Sequence, residues 1–210
     1  MRLLRFLFFT ILLALASACT SSGVTRRDIG GVERLNLRDP RLPMEARRWL
    51  ADAEDEVAIA QAHVDDAKGD LRKLENYRGS VVVRLDEAWS TGKSGSAAEG
   101  EAAAGAFFRY ADQRVDLAEL ELKISRKQLE LTIARLTQAR AETAIRYDLA
   151  VYEIEPIVRE VEQLKSEVAA IQREVEEQRV KVEKAADEVW KAYTAFASKG
   201  GATDALWGTP

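Results

Sequence analysis

The sequence predicts an all-α protein: an elongated antiparallel coiled-coil hairpin with a third helical segment after Pro156. Three observations carry that expectation. Ala, Glu, Leu, Arg, Lys, Val and Gln dominate the 210 residues, and none of the 4 prolines lies between Met44 and Glu155, which is the composition of long helices. Apolar residues recur at spacings of three and four along most of the chain. Residues 90–100, STGKSGSAAEG, are the clearest loop.

The first helix is expected from about 44 to 89. Pro43 suits the first helical position and Glu45 the first turn, where an acidic side chain complements the helix dipole. Leu50, Ala53, Val57, Ala60, Val64, Ala67, Leu71, Leu74, Val81, Leu85 and Ala88 form an a/d pattern, with Arg78 at one a position. Several of its early seam positions are alanine, which lets a partner helix approach closely. Gly69 and Gly79 each weaken the helix by roughly 1 kcal/mol against alanine, so Gly79, ahead of Val81-Val82-Val83, is the expected weak point.

The second helix is expected from 101 to 155 and carries two apolar stripes. One follows Phe108, Ala111, Val115, Ala118, Leu122, Leu129, Ile133 and Leu136; the other follows Leu117, Leu120, Ile124 and Leu131. The stripes lie about 200° apart on a helical wheel, so this helix needs a neighbour on each side.

The third helix, 157 to 199, has the most regular seam. Val161, Val168, Val175, Val182, Val189 and Phe196 fall at a, and Ile157, Leu164, Ile171, Gln178, Ala185 and Ala192 at d. Gly200 and Gly201 end it, leaving residues 200–210 as a flexible tail.

Pro156 separates two architectures, because proline inside a helix breaks or kinks it. In the first, the helix kinks and continues: VYEIEPIVRE holds no Gly, Asn or Ser to make a reversal, and the apolar register runs through it unbroken. The seam is then free to self-associate as a parallel pair, with Glu160 facing Lys165 and Glu174 facing Arg179. In the second, the chain folds back into a three-helix bundle. The second stripe gains its cover, and Trp190, Tyr193 and Phe196 come towards Trp89, Phe107, Phe108 and Tyr110. The balance favours the kinked continuation.

The charges and motifs exclude several functions. A net charge of −4 with both signs interspersed offers no basic footprint for nucleic acid. The single His63, at a g position with no cysteine partner, makes no zinc site. Asp52, Glu54, Asp55 and Glu56, like Asp65 and Asp66, splay around the helix instead of converging. Gly92-Lys93-Ser94 lacks the earlier glycine of a phosphate-binding loop, where Glu87 stands. The expectation is a non-enzymatic protein without cofactor or metal. Trp89, Phe107, Phe108 and Tyr110 are either a docking patch for a partner or the plug that closes the helical core.

The chain begins MRLLRFLFFTILLALASAC: two arginines, an apolar stretch from Phe6 to Leu15, then small residues before Cys19, the only cysteine. That order is a secretory signal. Leu15-Ala16-Ser17-Ala18-Cys19 resembles the lipobox of bacterial lipoproteins, with the leucine one position early. The resemblance implies cleavage by signal peptidase II before Cys19 and acylation of that residue, a firm anchor when more than one chain is attached. Thr20, instead of Asp, implies the outer membrane, facing the periplasm. The expected organisation is therefore a signal peptide at 1–18, a lipidated tether at 19–43, a helical body at 44–199 and the tail. Such a chain reads as a spacer, scaffold or docking element of the cell envelope that self-associates or meets an envelope protein through its helices. The alternatives are a holdase-type periplasmic chaperone or an accessory subunit of an envelope transport complex.

Overall fold

The computed structural model describes residues 39–90, 97–149 and 153–200. Cys19, the leader, the tether as far as residue 38, the loop centre at 91–96 and the tail from 201 lie outside these, as does the side chain of Trp89. Three helices make up the described chain: α1 (Met44–Ser90), α2 (Ala97–Arg146) and α3 (Glu155–Ser198), with no strand among the described residues.

The body begins before α1, inside the segment read as tether. Asp39 accepts hydrogen bonds from the Arg41 backbone amide at 2.9 Å and from its guanidinium at 2.8 and 3.1 Å, while Leu42 N–H donates to the Asp39 carbonyl. Arg47, one turn into α1, reaches back to the carbonyls of Asp39 and Leu42, both at 2.9 Å. This clasp holds Leu42 at 1 % exposure, in line with Ala46 and Leu50 on the buried face of α1. Pro43 ends as the cap, its carbonyl taking the first helical bond from Arg47 N–H.

α1 runs unbroken through Gly69 and Gly79. The loss at each glycine is a fraction of what 47 residues of helix packed along α2 retain. Arg78, the charged residue at an a position, donates to Asp112 of α2 at 3.1 Å. Arg140 pairs with Glu54 at 2.6 Å nearer the other end. These two pairs fix α1 and α2 as antiparallel.

The reversal after α2 corrects the sequence reading twice. α2 stops at Arg146, well short of 155, and α3 starts at Glu155 with Pro156 in its first turn. The stop is a Schellman motif: Leu149 N–H bonds the Ala144 carbonyl at 2.8 Å, Asp148 N–H bonds Ile145, and Asp148 takes φ +52°. Asp tolerates this left-handed conformation better than most side chains, so no glycine was needed. Pro156 lacks an N–H that would have had no partner in a first helical turn anyway. It starts α3 and does not kink α2.

α3 folds back along α2, so the kinked continuation does not form. Lys123–Glu174 at 2.8 Å, Lys127–Glu167 at 3.1 Å and Arg109–Glu188 at 3.5 Å step along the pair in opposite directions. The third seam covers the second stripe: Val161 and Leu164 pack with Leu131 and Ala134, and Ile171 and Val175 with Ile124, Leu117 and Leu120, with Val168 touching both groups. Val182 and Val189, farther along the seam, are half-buried. Glu174 and Arg179, expected to meet across a homodimer, are instead engaged with Lys123 and Glu121 of α2.

α2 therefore lies in the middle. α1 and α3 each pack along it, and no Cα of α1 comes within 8 Å of one in α3 among the described residues. Ala111, Val115, Ala118, Leu122 and Leu136 of the first stripe are buried, but Phe108 and Ile133 are 39 % and 47 % exposed.

Candidate functional site

All three helices meet through side chains at one level, towards the end of the layer that holds the α1–α2 loop. α1 contributes Tyr77 and Val81, α2 contributes Phe107 and Ala111, and α3 contributes Val189; together they form one apolar cluster. Phe107, at 8 % exposure, is core. Of the aromatics singled out from the sequence, it is the plug.

Tyr110 has a different place. It is half-buried, and the Arg114 guanidinium lies 5.6 Å above its ring and 5.9 Å from that of Tyr77. A cation held against two ring faces ties α1 to α2 beside the cluster. Next to it, Tyr110, Ala186, Val189, Trp190 and Tyr193 line a shallow, mostly apolar groove of about 390 Å³. Trp190 and Tyr193 stand 6.1 Å apart between ring centroids, tilted by 33°. Trp190 is 69 % exposed, far more than a tryptophan closing a core would be.

The helical spacing of α3 explains the groove. Val189 sits on the seam facing α2, and Trp190 follows it by one residue, about 100° round the helix. Ala186, Trp190 and Tyr193 fall at i, i+4 and i+7 and so share one face. Trp190 and Tyr193 were not among the docking residues read from the sequence. The available signal was a tryptophan just off a regular seam, where a heptad places charge. Phe108 lies outside this groove, and nothing is described for the side chain of Trp89.

The remaining singled-out polar groups stay apart. His63 is solvent-exposed on α1. Among the described residues no group of three or more His, Cys, Asp or Glu side chains is set to hold a metal ion. Glu54 is taken up by Arg140. Lys68 and then Gln61, by hydrogen bonding, hold the Asp65 carboxyl below its ordinary range. Both belong to the same helix, so this is a surface charge ladder. Among the described residues the groove is walled chiefly by Tyr110, Val189, Trp190 and Tyr193, and aromatic walls suit recognition by packing.

No helix of the described residues is long and apolar enough to cross a membrane. No family model, no curated protein and no solved structure matches the chain.

Proposed function

We propose that this chain is a non-enzymatic, lipid-anchored coiled-coil protein of the bacterial envelope, held to the outer membrane through Cys19 and acting in the periplasm as a spacer that offers a docking face. One observation supports this reading above the others. The clasp at Asp39–Arg47, where the described chain starts, lies at one end of α1, and the aromatic groove lies towards the other. A helix of 47 residues spans about 70 Å, so a chain anchored at its start carries the groove well away from the bilayer. The alanine-rich and valine-rich seams suit a stiff rod, and the mixed charges on its outer faces suit a solvated one.

The test has two parts. Cys19→Ser is expected to release the protein from the membrane fraction on carbonate wash, and its persistence there would overturn lipidation as the anchor. Trp190→Ala is expected to leave the helical content unchanged and to abolish capture of an envelope partner by the anchored protein. Capture unaffected by that change would remove the groove from the function.

A further inference from the structure

The groove beside Trp190 has a charge pattern as well as an apolar wall. On α3, Glu183, Ala186 and Trp190 fall at i, i+3 and i+7 and share one face, and Asp187 lies one turn before Trp190. Both carboxylates are solvent-exposed, and neither has an ion-pair partner among the described residues. Four apart on one helix they repel each other, so a cation brought between them relieves that repulsion.

The chain's own cations do not fill this role. Lys184 and Lys191 stand about 120° and 100° round the helix from Trp190. Arg179 is paired with Glu121 and Glu176, and Arg109 with Glu188. Arg114 lies against the rings of Tyr110 and Tyr77. The groove therefore presents two open carboxylates beside aromatic faces.

The aromatic walls favour the same kind of ligand. Ring faces attract cations, tryptophan most strongly. A guanidinium is planar and weakly hydrated, so it can stack on a ring and still offer its N–H fork to a carboxylate. Trp190 is 69 % exposed and Tyr193 stands 6.1 Å away, tilted by 33°, so the two rings make one bent platform. Val189, packed into the three-helix cluster, fixes that platform from below. A purely apolar occupant would leave Glu183 and Asp187 uncompensated at its rim, and a second copy meeting this one through the same face would bring like carboxylates together.

We infer that the groove receives a basic segment of a partner protein, an arginine side chain lying on Trp190 and Tyr193 with its guanidinium towards Asp187 and Glu183. This rests on the groove being the docking face and adds the chemistry of what docks there.

The experiment uses the full chain labelled with 5-fluorotryptophan, with the Trp190 resonance assigned by Trp190→Phe. The probe is an acetylated, amidated alanine peptide carrying two arginines; control peptides carry two lysines or two glutamates in their place. The arginine peptide is expected to shift the Trp190 resonance saturably and leave that of Trp49 in place, the lysine peptide to bind more weakly and the glutamate peptide not at all. No shift with arginine, or an equal response to lysine or glutamate, overturns the inference. The double variant Glu183→Gln with Asp187→Asn, its helical content checked by circular dichroism, is expected to weaken the arginine peptide roughly fivefold at low salt, and unchanged affinity also overturns it. In the capture assay on the anchored protein, capture lost in Trp190→Ala but kept in the double variant overturns the basic partner and leaves the docking face standing. Capture kept in both removes the docking face, and the inference with it.

Discussion

Where α2 meets α1, alanines are interleaved with larger side chains: Ala46, Ala60, Ala111 and Ala118 are buried along with Leu50, Val64, Val115 and Leu122, while Leu71 and Leu74 remain half-exposed. Where it meets α3, Leu and β-branched side chains do the filling, flanked by ion pairs from Lys123, Lys127 and Arg109 to glutamates of α3. An alanine seam lets backbones approach but removes little apolar area from water per residue. An Ile, Val and Leu seam removes more, at roughly 25 cal/mol per Å². The second interface also contains a polar residue with its partner: Gln178, buried at a d position, donates to the Gln113 side-chain and backbone oxygens at 3.0 and 3.2 Å.

The largest effect that tests this contrast comes from truncating matched positions. Ile171→Ala is expected to lower stability by about 3 kcal/mol, and Leu71→Ala, half-exposed, by about 1 kcal/mol. Urea midpoints at unchanged m-value measure both, and equal losses would break the comparison. Next is Gln178→Ala, which leaves the Gln113 acceptors without their donor and should cost about 1 to 2 kcal/mol. Spin-label distances between α2 and α3 should broaden in that variant if the pair sets the register.

Two substitutions should strengthen the protein, one on each side. Gly79→Ala places a Cβ where nothing lies within 4 Å and is expected to add about 1 kcal/mol to α1. Asp148→Gly relieves the left-handed turn and is expected to add about 0.5 kcal/mol or somewhat more, whereas Asp148→Val should destabilise. Thermal melts followed by circular dichroism rank the three.

The smallest effect is that of pH. Gln163 and then Lys127, by hydrogen bonding, hold Glu167 below its ordinary value of 4.5, and Glu130 and Glu167 raise Lys127 above 10.5. A depressed carboxyl contributes above its unfolded value and stops contributing as pH falls through its folded one; a raised amine contributes below its unfolded value and stops contributing as pH rises through its folded one. Stability should therefore be flat across neutrality and decline slightly below 4.5 and above 10.5. Each side chain keeps about a third of its surface in solvent, so salt should remove part of the difference. A steep neutral-range dependence would mean that the flanking charges matter more than the apolar seam.

Much of this architecture is readable from periodicity. The two stripes on α2 require two neighbours, and the seam from Ile157 to Phe196 is the surface that covers one of them. The reversal itself was one of two readings, but its place was not readable, because it depends on Asp148 in a conformation that sequence reading assigns to glycine, and Pro156 drew attention to the wrong residue. Phe107 and Phe108 show the limit at finer scale. Adjacent aromatics differ by about 100° on a helix, and the packing of Val81 and Val189 decides which one is buried. The folded-back reading brought Trp190 towards Tyr110, yet not as a docking residue: its significance lies in being beside the seam, and a heptad count records only what is on it.

The reversal at Asp148 has a consequence for topology. An even number of antiparallel passes returns a chain to the side where it began, but three passes leave its last residues opposite its first. Had α2 simply met a partner's helix, Arg146 would close the body at the end where Leu42 begins it. Because α3 crosses once more, Gly200 lies at the far end with the aromatic groove, and anything attached after it is displayed there. A protein fused beyond that point would be held one full helix length from the clasp at Asp39, and excising one helix would bring it back to the clasp.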